Sequence, residues 1–598
     1  MKNLLPLLLV ALTCNITSAQ SVRDERSQSA AAQKILTKWQ ADADRSQKRY
    51  LHVFAWTPAD RPLPENHEER LNRILKHIQA FYAQEMDRHG FGHLTINMHR
   101  TAEGKVLIHS VKGKKPYAEY GKPSGNEIRQ ECSGVLTAQG LDPDQETMII
   151  FCNLAEWDPQ ALTFSHKSPY YGGGSAASGV CWQLDSPELD IPNLKLKQPM
   201  IRDGEYGRIS LGRHNSIFIG GMAHELGHGL GLPHCSPRPD EEVRGQPIMG
   251  TGNRTYGEEL RGEGQGAFLS FAHALRLATH PQFSGVTKQL DVRPSVESSL
   301  KAIEVDGKAI RVKGTVKGEP PVYGVVAYFD PEGNSDYNAT TMTAIPDAEG
   351  NFELASDALE KGKLGLLRIV PLHCNGRVSE PANLQIPYRV EANGTPDLSA
   401  AQARLELAPF LEAYSGRDQE KKKRLAGRIK SPEGKAIADH LLNLTAPTQS
   451  PAEFKGNNPV VALSTFKPTS TEVGWMRGTF DRVPDNSILL AAGGQIFQRG
   501  LYAHAPARHV YSLGGKWKQF TGKVGMADGH GGTVQFIIKA DGKPLWQSAV
   551  IKEGGIADFQ VDVSGVQELE LTVDPTTDGT GSDWGLWLNP ELHVEAAP

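Results

Sequence analysis

Ala223 to His234 read AHELGHGLGLPH: three histidines, one glutamate and a glycine-proline break within twelve residues. His224 and His228 are four apart, so a helix places both imidazoles on one face. Glu225 follows the first histidine and reaches toward the same space without ligating a shared ion. A third ligand cannot come from the same helix face. Gly231 is free to adopt φ > 0 and end the helix, and Pro233 prevents its continuation. His234 can then turn back toward the first two. Three neutral histidines with one exchangeable position make the catalytic rather than the structural form of a tetrahedral Zn²⁺ site. In that arrangement Glu225 is the general base for an attacking water.

Working outward, the chain has 598 residues, too many for one core, so several domains are expected. The net charge of −5 comes without a basic stripe carrying interleaved aromatics, which excludes nucleic-acid binding. Lys2, the apolar run Leu4–Leu12 and Thr17-Ser18-Ala19 read as a signal peptide over 1–19, so the protein is expected outside the cell, free or retained at its surface. No segment is long and apolar enough to predict a transmembrane helix. Loss of Cys14 leaves Cys132, Cys152, Cys181, Cys235 and Cys374, an odd number, so at least one is unpaired. Cys181 either pairs with Cys235 or stays a buried thiol.

Residues 20–47 are polar and read as a leader or short propiece. From 48 to 285 the pattern is α/β. RYLHVFAW (Arg49–Trp56) predicts a strand, and Asn66 caps a helix ended by Gly90. LTINMH and KVLIHSV predict strands, a second helix covers Asn126–Gln139, and TMIIFCNL predicts a buried strand. The histidine helix is placed to begin near Ser216. Residues 286–391 alternate as an immunoglobulin- or fibronectin-like β-sandwich. Residues 392–455 are helical and charged, with KKKR (Lys421–Arg424) as a solvated face, and read as a linker. Residues 456–598 return to β structure with Gly-rich turns and Trp475, Trp517, Trp546, Trp584 and Trp587.

HELGHGLGLPH matches HExxHxxGxxH at every fixed position, and residues 48–285 resemble the metzincin metallopeptidases. The resemblance implies one catalytic zinc on His224, His228 and His234, with Glu225 as catalytic base. It also implies a methionine turn, for which Pro247-Ile248-Met249-Gly250 offers Met249. Where some metzincins carry a tyrosine two residues beyond the methionine, this chain has Thr251, and Tyr256 is out of register. Substrate in that family lies along an edge strand. GVCWQL (Gly179–Leu184) is the candidate strand, with Tyr170 and Tyr171 in a Gly-rich loop as candidate substrate contacts. His214 and His273 are read as structural.

GLYAHAPARHVYSLGG (Gly500–Gly515), with VGW at 473–475 and SDWGLW at 582–587, resembles the NPCBM-like carbohydrate-binding modules. That implies a β jelly roll over 456–598 that binds glycans, galactose-terminated ones among them. Trp475, His504, Asp583 and Trp584 are the candidate sugar contacts, and a calcium ion is left open. The expected architecture is thus multidomain: an α/β metzincin-like domain, a β-sandwich and a C-terminal jelly roll. The expected activity is a secreted zinc endopeptidase acting on glycoproteins, O-glycosylated mucins in particular. Three alternatives stay open: an adhesin with an inactive protease fold, a general zinc protease without glycan dependence, and a metal-dependent amidase.

Overall fold

The structure, a computed structural model, describes residues 14–594 apart from Gln47 and Glu553; residues 1–13 of the expected signal peptide lie outside the described residues. The chain divides into two compact units. The first runs to Ala302 and adds 309–360 and 366–385; the second holds 303–308, 361–365 and 386–598.

In the first unit, most of the segment expected as a leader or short propiece lies in helix α1 (Cys14–Trp39). Ala32 and Leu36, one turn apart, are buried in the main core. Gln33 Nε2 donates to the Gly90 carbonyl at 2.9 Å, and Glu25 meets His89 at 3.1 Å. Strand β1 (Leu51–Thr57) is buried along its whole length. Its alternation sorts two cores: Leu51, Val53 and Ala55 join one cluster, Phe54 and Trp56 another. The first is covered by helix α2 (His67–Arg88), which buries Leu71, Ile74, Leu75, Ile78, Tyr82 and Met86. The second is covered by helix α3 (Gly125–Ala138), with Ile128, Cys132 and Leu136 buried. Each such aliphatic side chain contributes about 1.5–3 kcal/mol on full burial.

The remaining strands of this sheet are β2 (Ile108–Lys112), β3 (Thr147–Cys152), β4 (Tyr171–Gly174) and β5 (Gly179–Leu184). Their order is β2-β1-β3-β5-β4, parallel except for the antiparallel β4 at the edge. LTINMH forms no strand; Met98 makes only an isolated bridge to Leu51. GVCWQL is β5, inside the sheet, and the edge is β4, the glycine run expected to be a loop. Helix α4 (Leu211–Gly229) carries the first two histidines and starts five residues earlier than expected, with Ser210 Oγ accepting from the Arg213 N–H.

The β-structure that follows pairs Ala309–Glu319 with Asn351–Ser356, and Val322–Pro331 with Thr340–Ala344, both antiparallel. The connection between Pro331 and Thr340 reaches the histidines. All five described cysteines outside α1 are free and buried, which removes the Cys181–Cys235 pairing. Cys181 Sγ points at the Met148 carbonyl, and Cys235 Sγ lies 3.8 Å from His273 Nδ1.

In the second unit, helices Ser399–Tyr414, Gln419–Ala426 and Pro432–Leu442 are not a linker. Leu407, Phe410, Ile437 and Leu441 share a core with Ile488 and Ile496. Lys421, Lys423 and Arg424 are exposed, while the Lys422 ammonium lies 5.2 Å over the Tyr414 ring. The rest is a β-sandwich of two five-stranded sheets. Trp517 and Trp587 fill its interior.

Candidate functional site

Helix α4 delivers His224 and His228 on one face, and Gly231 at φ 81° turns the chain so that His234 joins them. His228 Nε2 lies 3.1 Å from His224 Nε2 and 3.0 Å from His234 Nε2. The other nitrogen of each ring is committed. His224 Nδ1 meets the Ile248 carbonyl at 2.7 Å, His228 Nδ1 the Leu232 carbonyl at 2.8 Å, and His234 Nδ1 the Ser335 carbonyl at 3.2 Å. A carbonyl only accepts, so each Nδ1 carries the proton and each Nε2 presents a lone pair. Burial pushes all three imidazoles toward the neutral form, His224 down to about 3, reinforced there by the neighbouring His228.

Three lone pairs facing one point without a proton among them repel unless a cation sits between them. Tetrahedral zinc with Zn–N of about 2.0–2.1 Å sets its ligand nitrogens about 3.3 Å apart. The two spacings seen come within a few tenths of an ångström of that, so the donor set fits the ion. Among the described residues no other group of three His, Cys, Asp or Glu side chains converges in this way.

Met249 lies beneath the helix. A Cβ added to Gly227, between the first two histidines, would fall 2.2 Å from the Met249 sulfur. The preceding carbonyl, of Ile248, orients His224, so the turn supports the site by packing and by hydrogen bonding. Glu225 is half-buried; burial pushes its carboxyl up to about 8, against the Gly172 N–H, which favours the ionised form.

That N–H belongs to the edge strand. A Cβ at Gly172 would lie 2.2 Å from the Glu225 carbonyl oxygen, and Cβ atoms at Gly174 and Gly179 would lie 2.1 and 1.9 Å from that of Gly229. The glycines therefore let β4 and β5 rest directly on α4. β4 pairs with β5 on one side only, leaving its other edge for an extended chain. Gly172, Gly173, Gly174 and His228 line a cavity of about 280 Å³.

The two tyrosines fall elsewhere than expected. Tyr170 donates its hydroxyl to the Phe218 carbonyl at 3.0 Å and packs against Gly221, supporting the helix. Tyr171 alternates to the far face of the sheet, where its ring packs tilted against Trp182 at 4.6 Å and its hydroxyl meets Gly125. His214 is bound by Asp203 at 2.9 Å and Glu188 at 3.1 Å, and neither it nor His273 joins the cluster.

Sequence reasoning missed the contribution of residues 335–337. Tyr337 stacks on His234 with ring centroids 3.7 Å apart, and the Ser335 carbonyl fixes that histidine's tautomer. Ser335 and Asp336 are both left-handed, at φ 47° and 68°, a conformation that costs non-glycine residues about 1–3 kcal/mol each. Arg368 holds Asp336 at 3.0 Å and Asp330 at 3.2 Å. The only local signal is Gly333-Asn334-Ser335-Asp336, a turn composition a hundred residues from the histidines.

In the second unit the four candidate sugar contacts gather at one end of the sandwich. His504 pairs across the sheet with Trp584; Gly474 N–H donates to the His504 carbonyl and Ala505 N–H to that of Asp583. Trp475 is 60% exposed, whereas His504, Asp583 and Trp584 are buried. The Trp584 ring stacks on His530 at 4.1 Å and meets Tyr502 edge-on. Asp583 Oδ1 accepts from the Thr533 N–H, while its Oδ2 has no partner among the described residues. Burial raises this carboxyl. Trp475 is thus the exposed ring of the four, and Asp583 carries a buried acceptor without a partner among the described residues.

Comparison with known proteins gives a family model for this region. Residues 460–593 match the NPCBM/NEW2 domain. A curated relative, a putative endo-alpha-N-acetylgalactosaminidase from Renibacterium salmoninarum, is 31% identical over 110 residues, which is 18% of this chain and 7% of that protein. Among solved structures, wild-type OgpA from Akkermansia muciniphila is 25% identical, with a TM-score of 0.48 over 57% of this chain and 94% of its own. A catalytically inactive OgpA, 24% identical with the same TM-score over 57% of this chain and 93% of its own, was solved with an O-glycopeptide substrate. A CBM51 of a Clostridium perfringens GH95 protein, solved with methyl-galactose, is 24% identical, with a TM-score of 0.21 over 22% of this chain and 99% of its own. No helix among the described residues is long and apolar enough to cross a membrane. The chain is multidomain, with a C-terminal β-sandwich that is an NPCBM carbohydrate-binding domain.

Proposed function

We propose that this protein is a secreted zinc-dependent endopeptidase that cleaves the backbone of glycosylated proteins, mucin-type O-glycoproteins foremost, while its NPCBM domain holds the glycan. The observation that carries the reading is the convergence of three Nε2 lone pairs beside Glu225 and under an open strand edge. A zinc ion on His224, His228 and His234 supplies Lewis acidity toward the scissile carbonyl and the attacking water.

The chain's own residues do the rest. The free edge of β4 binds the substrate backbone as an added strand and fixes the cleaved bond above α4. Glu225 takes the proton of the attacking water on its carboxylate and delivers it to the leaving amine. The three Nδ1–carbonyl bonds fix the tautomer and orientation of the histidines, burial keeps them neutral, and the Tyr337 ring holds His234 in place. Trp475, the exposed ring of the four candidates, is the candidate sugar platform, and a sugar held there raises the local concentration of enzyme on a glycan-coated protein.

The direct experiment is digestion of one O-glycoprotein by the zinc-loaded full chain before and after enzymatic removal of its O-glycans. Preferred cleavage of the glycosylated form is expected. Equal or faster cleavage of the bare protein would leave a general protease.

A further inference from the structure

Beside the N-terminal half of α4 lies a cavity of about 510 Å³ whose wall carries Lys197, Arg208, Arg213 and Arg254. None of these four side chains has a hydrogen-bond or ion-pair partner among the described residues. The one acid in the wall, Glu263, is already taken by Arg261 at 2.7 Å. Four like charges around one hollow repel, and no contact within the fold compensates them. Apolar Ile209 and Ile217, the Tyr206 ring and the Ser210 hydroxyl complete the lining. Ser210 also caps α4, so the positive end of a nineteen-residue helix adds to the same field.

The cavity belongs to the neighbourhood of the histidines. Ile217 precedes His224 by seven residues on α4, about 10 Å along the axis, and Arg213 by eleven, about 16 Å. That is the reach of about three to five residues of extended chain. Arg254 lies in the short helix α5 (Gly252–Thr255), five residues after Met249, and α5 packs on α4 where Gly220 leaves room for the Asn253 carbonyl.

We propose that this cavity is a subsite for an anionic substituent, carboxylate or sulfate, on the substrate's glycan. The inference rests on the peptidase reading above and names a substrate class within it. Three guanidinium forks match the planar or tetrahedral oxygens of such groups in bidentate fashion. The volume lies in the range of pockets that take a ligand of drug size, well beyond what one aspartate or glutamate side chain fills. The mix of an aromatic ring, a hydroxyl and apolar floor suits an acidic sugar.

The test uses the full, zinc-loaded chain on four matched glycopeptides. One carries a neutral galactosyl-N-acetylgalactosamine on threonine, one its sialylated form and one its sulfated form. The fourth carries the neutral glycan with an aspartate three to five residues from the cleaved bond. The sialylated or the sulfated substrate should show a KM about tenfold below the neutral one at similar kcat, and added salt should shrink the gap. Which of the two gains identifies carboxylate or sulfate. The double variant Arg208→Ala/Arg254→Ala, at exposed positions and checked by its melting temperature, should lose that gain while cutting the neutral glycopeptide as before. Equal KM values, a gain that survives in the double variant, or an equal gain from the aspartate peptide would overturn the subsite alone. An enzyme that cuts none of the four would overturn the peptidase reading, and the subsite with it.

Discussion

The edge strand offers a sharp test because two neighbouring glycines face opposite fates. A methyl group on Gly172 would sit 2.2 Å from the Glu225 carbonyl oxygen and 3.2 Å from the Cys181 Cβ. Ordinary contact begins near 3.4 Å, so strand and helix must separate by about 1.2 Å. The obstructing atom is main-chain, inside α4, and cannot swing aside as a side chain would. The displacement falls on the element that carries His224, Glu225 and His228. A misplacement of about 1 Å at a reacting centre costs about a hundredfold in rate. Gly172→Ala should therefore lower kcat/KM by about two orders of magnitude, with a stability loss of about 1–3 kcal/mol from overpacking.

Gly173→Ala is the control. Its Cβ meets nothing within 4 Å, and its φ lies outside the left-handed region. Activity and melting temperature should stay near the parent, within about 0.5 kcal/mol. Steady-state kinetics on a fluorogenic glycopeptide, zinc content by mass spectrometry and thermal unfolding give the three readouts. Gly172→Ala should keep its zinc and lose rate. If both variants behave like the parent, β4 does not rest on α4, and the strand-edge argument for substrate binding falls with it.

Glu225→Gln should retain about one zinc per chain and lose about 10²–10⁴ in kcat, because the residue is assigned to the water and not to the ion; parent-like turnover would refute that role. Tyr337→Ala should weaken zinc binding about tenfold by freeing His234, whereas Tyr337→Phe keeps the 3.7 Å stack and should bind as the parent does in a chelator competition. Trp475→Ala should leave the melting temperature unchanged, since the side chain is exposed, yet lower affinity on a glycan array about tenfold; an unchanged array signal would move the sugar site elsewhere. His214 gives a pH prediction. Burial lowers its pKa, but the bonds to Asp203 and Glu188 outweigh this and hold it above the ordinary 6.5. Its contribution is therefore complete below about pH 6.5 and lost as pH rises through the folded value. Asp203 works the other way: burial raises it, the bond to His214 lowers it below 3.8, and its contribution fades as pH falls through the folded value. Melting temperature should decline on the alkaline side, and His214→Gln should flatten that limb; an equal decline in the variant would remove the cluster from the account.

The histidine helix was legible because its information is local: spacing on one face, a glycine where φ must be positive, a proline where helix must stop. The edge strand was not, because Tyr171–Gly174 has the composition of a loop. Glycine is poor in strands on propensity, and here it is required by the approach of α4, a tertiary demand that outweighs propensity. Helix α1 was hidden for a related reason. Most of its residues are polar, and the short apolar pair Ala32 and Leu36 gives too narrow a stripe to stand out. The helices at 399–442 read as a charged linker because their buried positions, Leu407, Phe410, Ile437 and Leu441, are spaced among lysines and glutamates.

The third histidine shows what spacing alone leaves out. His224 and His228 are oriented by carbonyls from the same region, Ile248 and Leu232, but His234 takes its orientation from Ser335, in the connection between strands Val322–Pro331 and Thr340–Ala344. That connection holds two left-handed non-glycine residues and is clamped by Arg368 to Asp330 and Asp336. Strain of that kind persists only where surrounding contacts over-determine it. Here the contacts place a carbonyl and an aromatic ring against His234. The β-structure after residue 309 is therefore part of the histidine cluster's support, and the boundary expected near 285 divides a pattern in sequence without dividing the cluster. Ser236 N–H donating to the Ala339 carbonyl at 2.7 Å, and Arg238 to that of Thr341, tie the segment just past His234 to the same hairpin. The connection between Pro331 and Thr340 thus fixes where the third imidazole sits and which way its Nε2 faces.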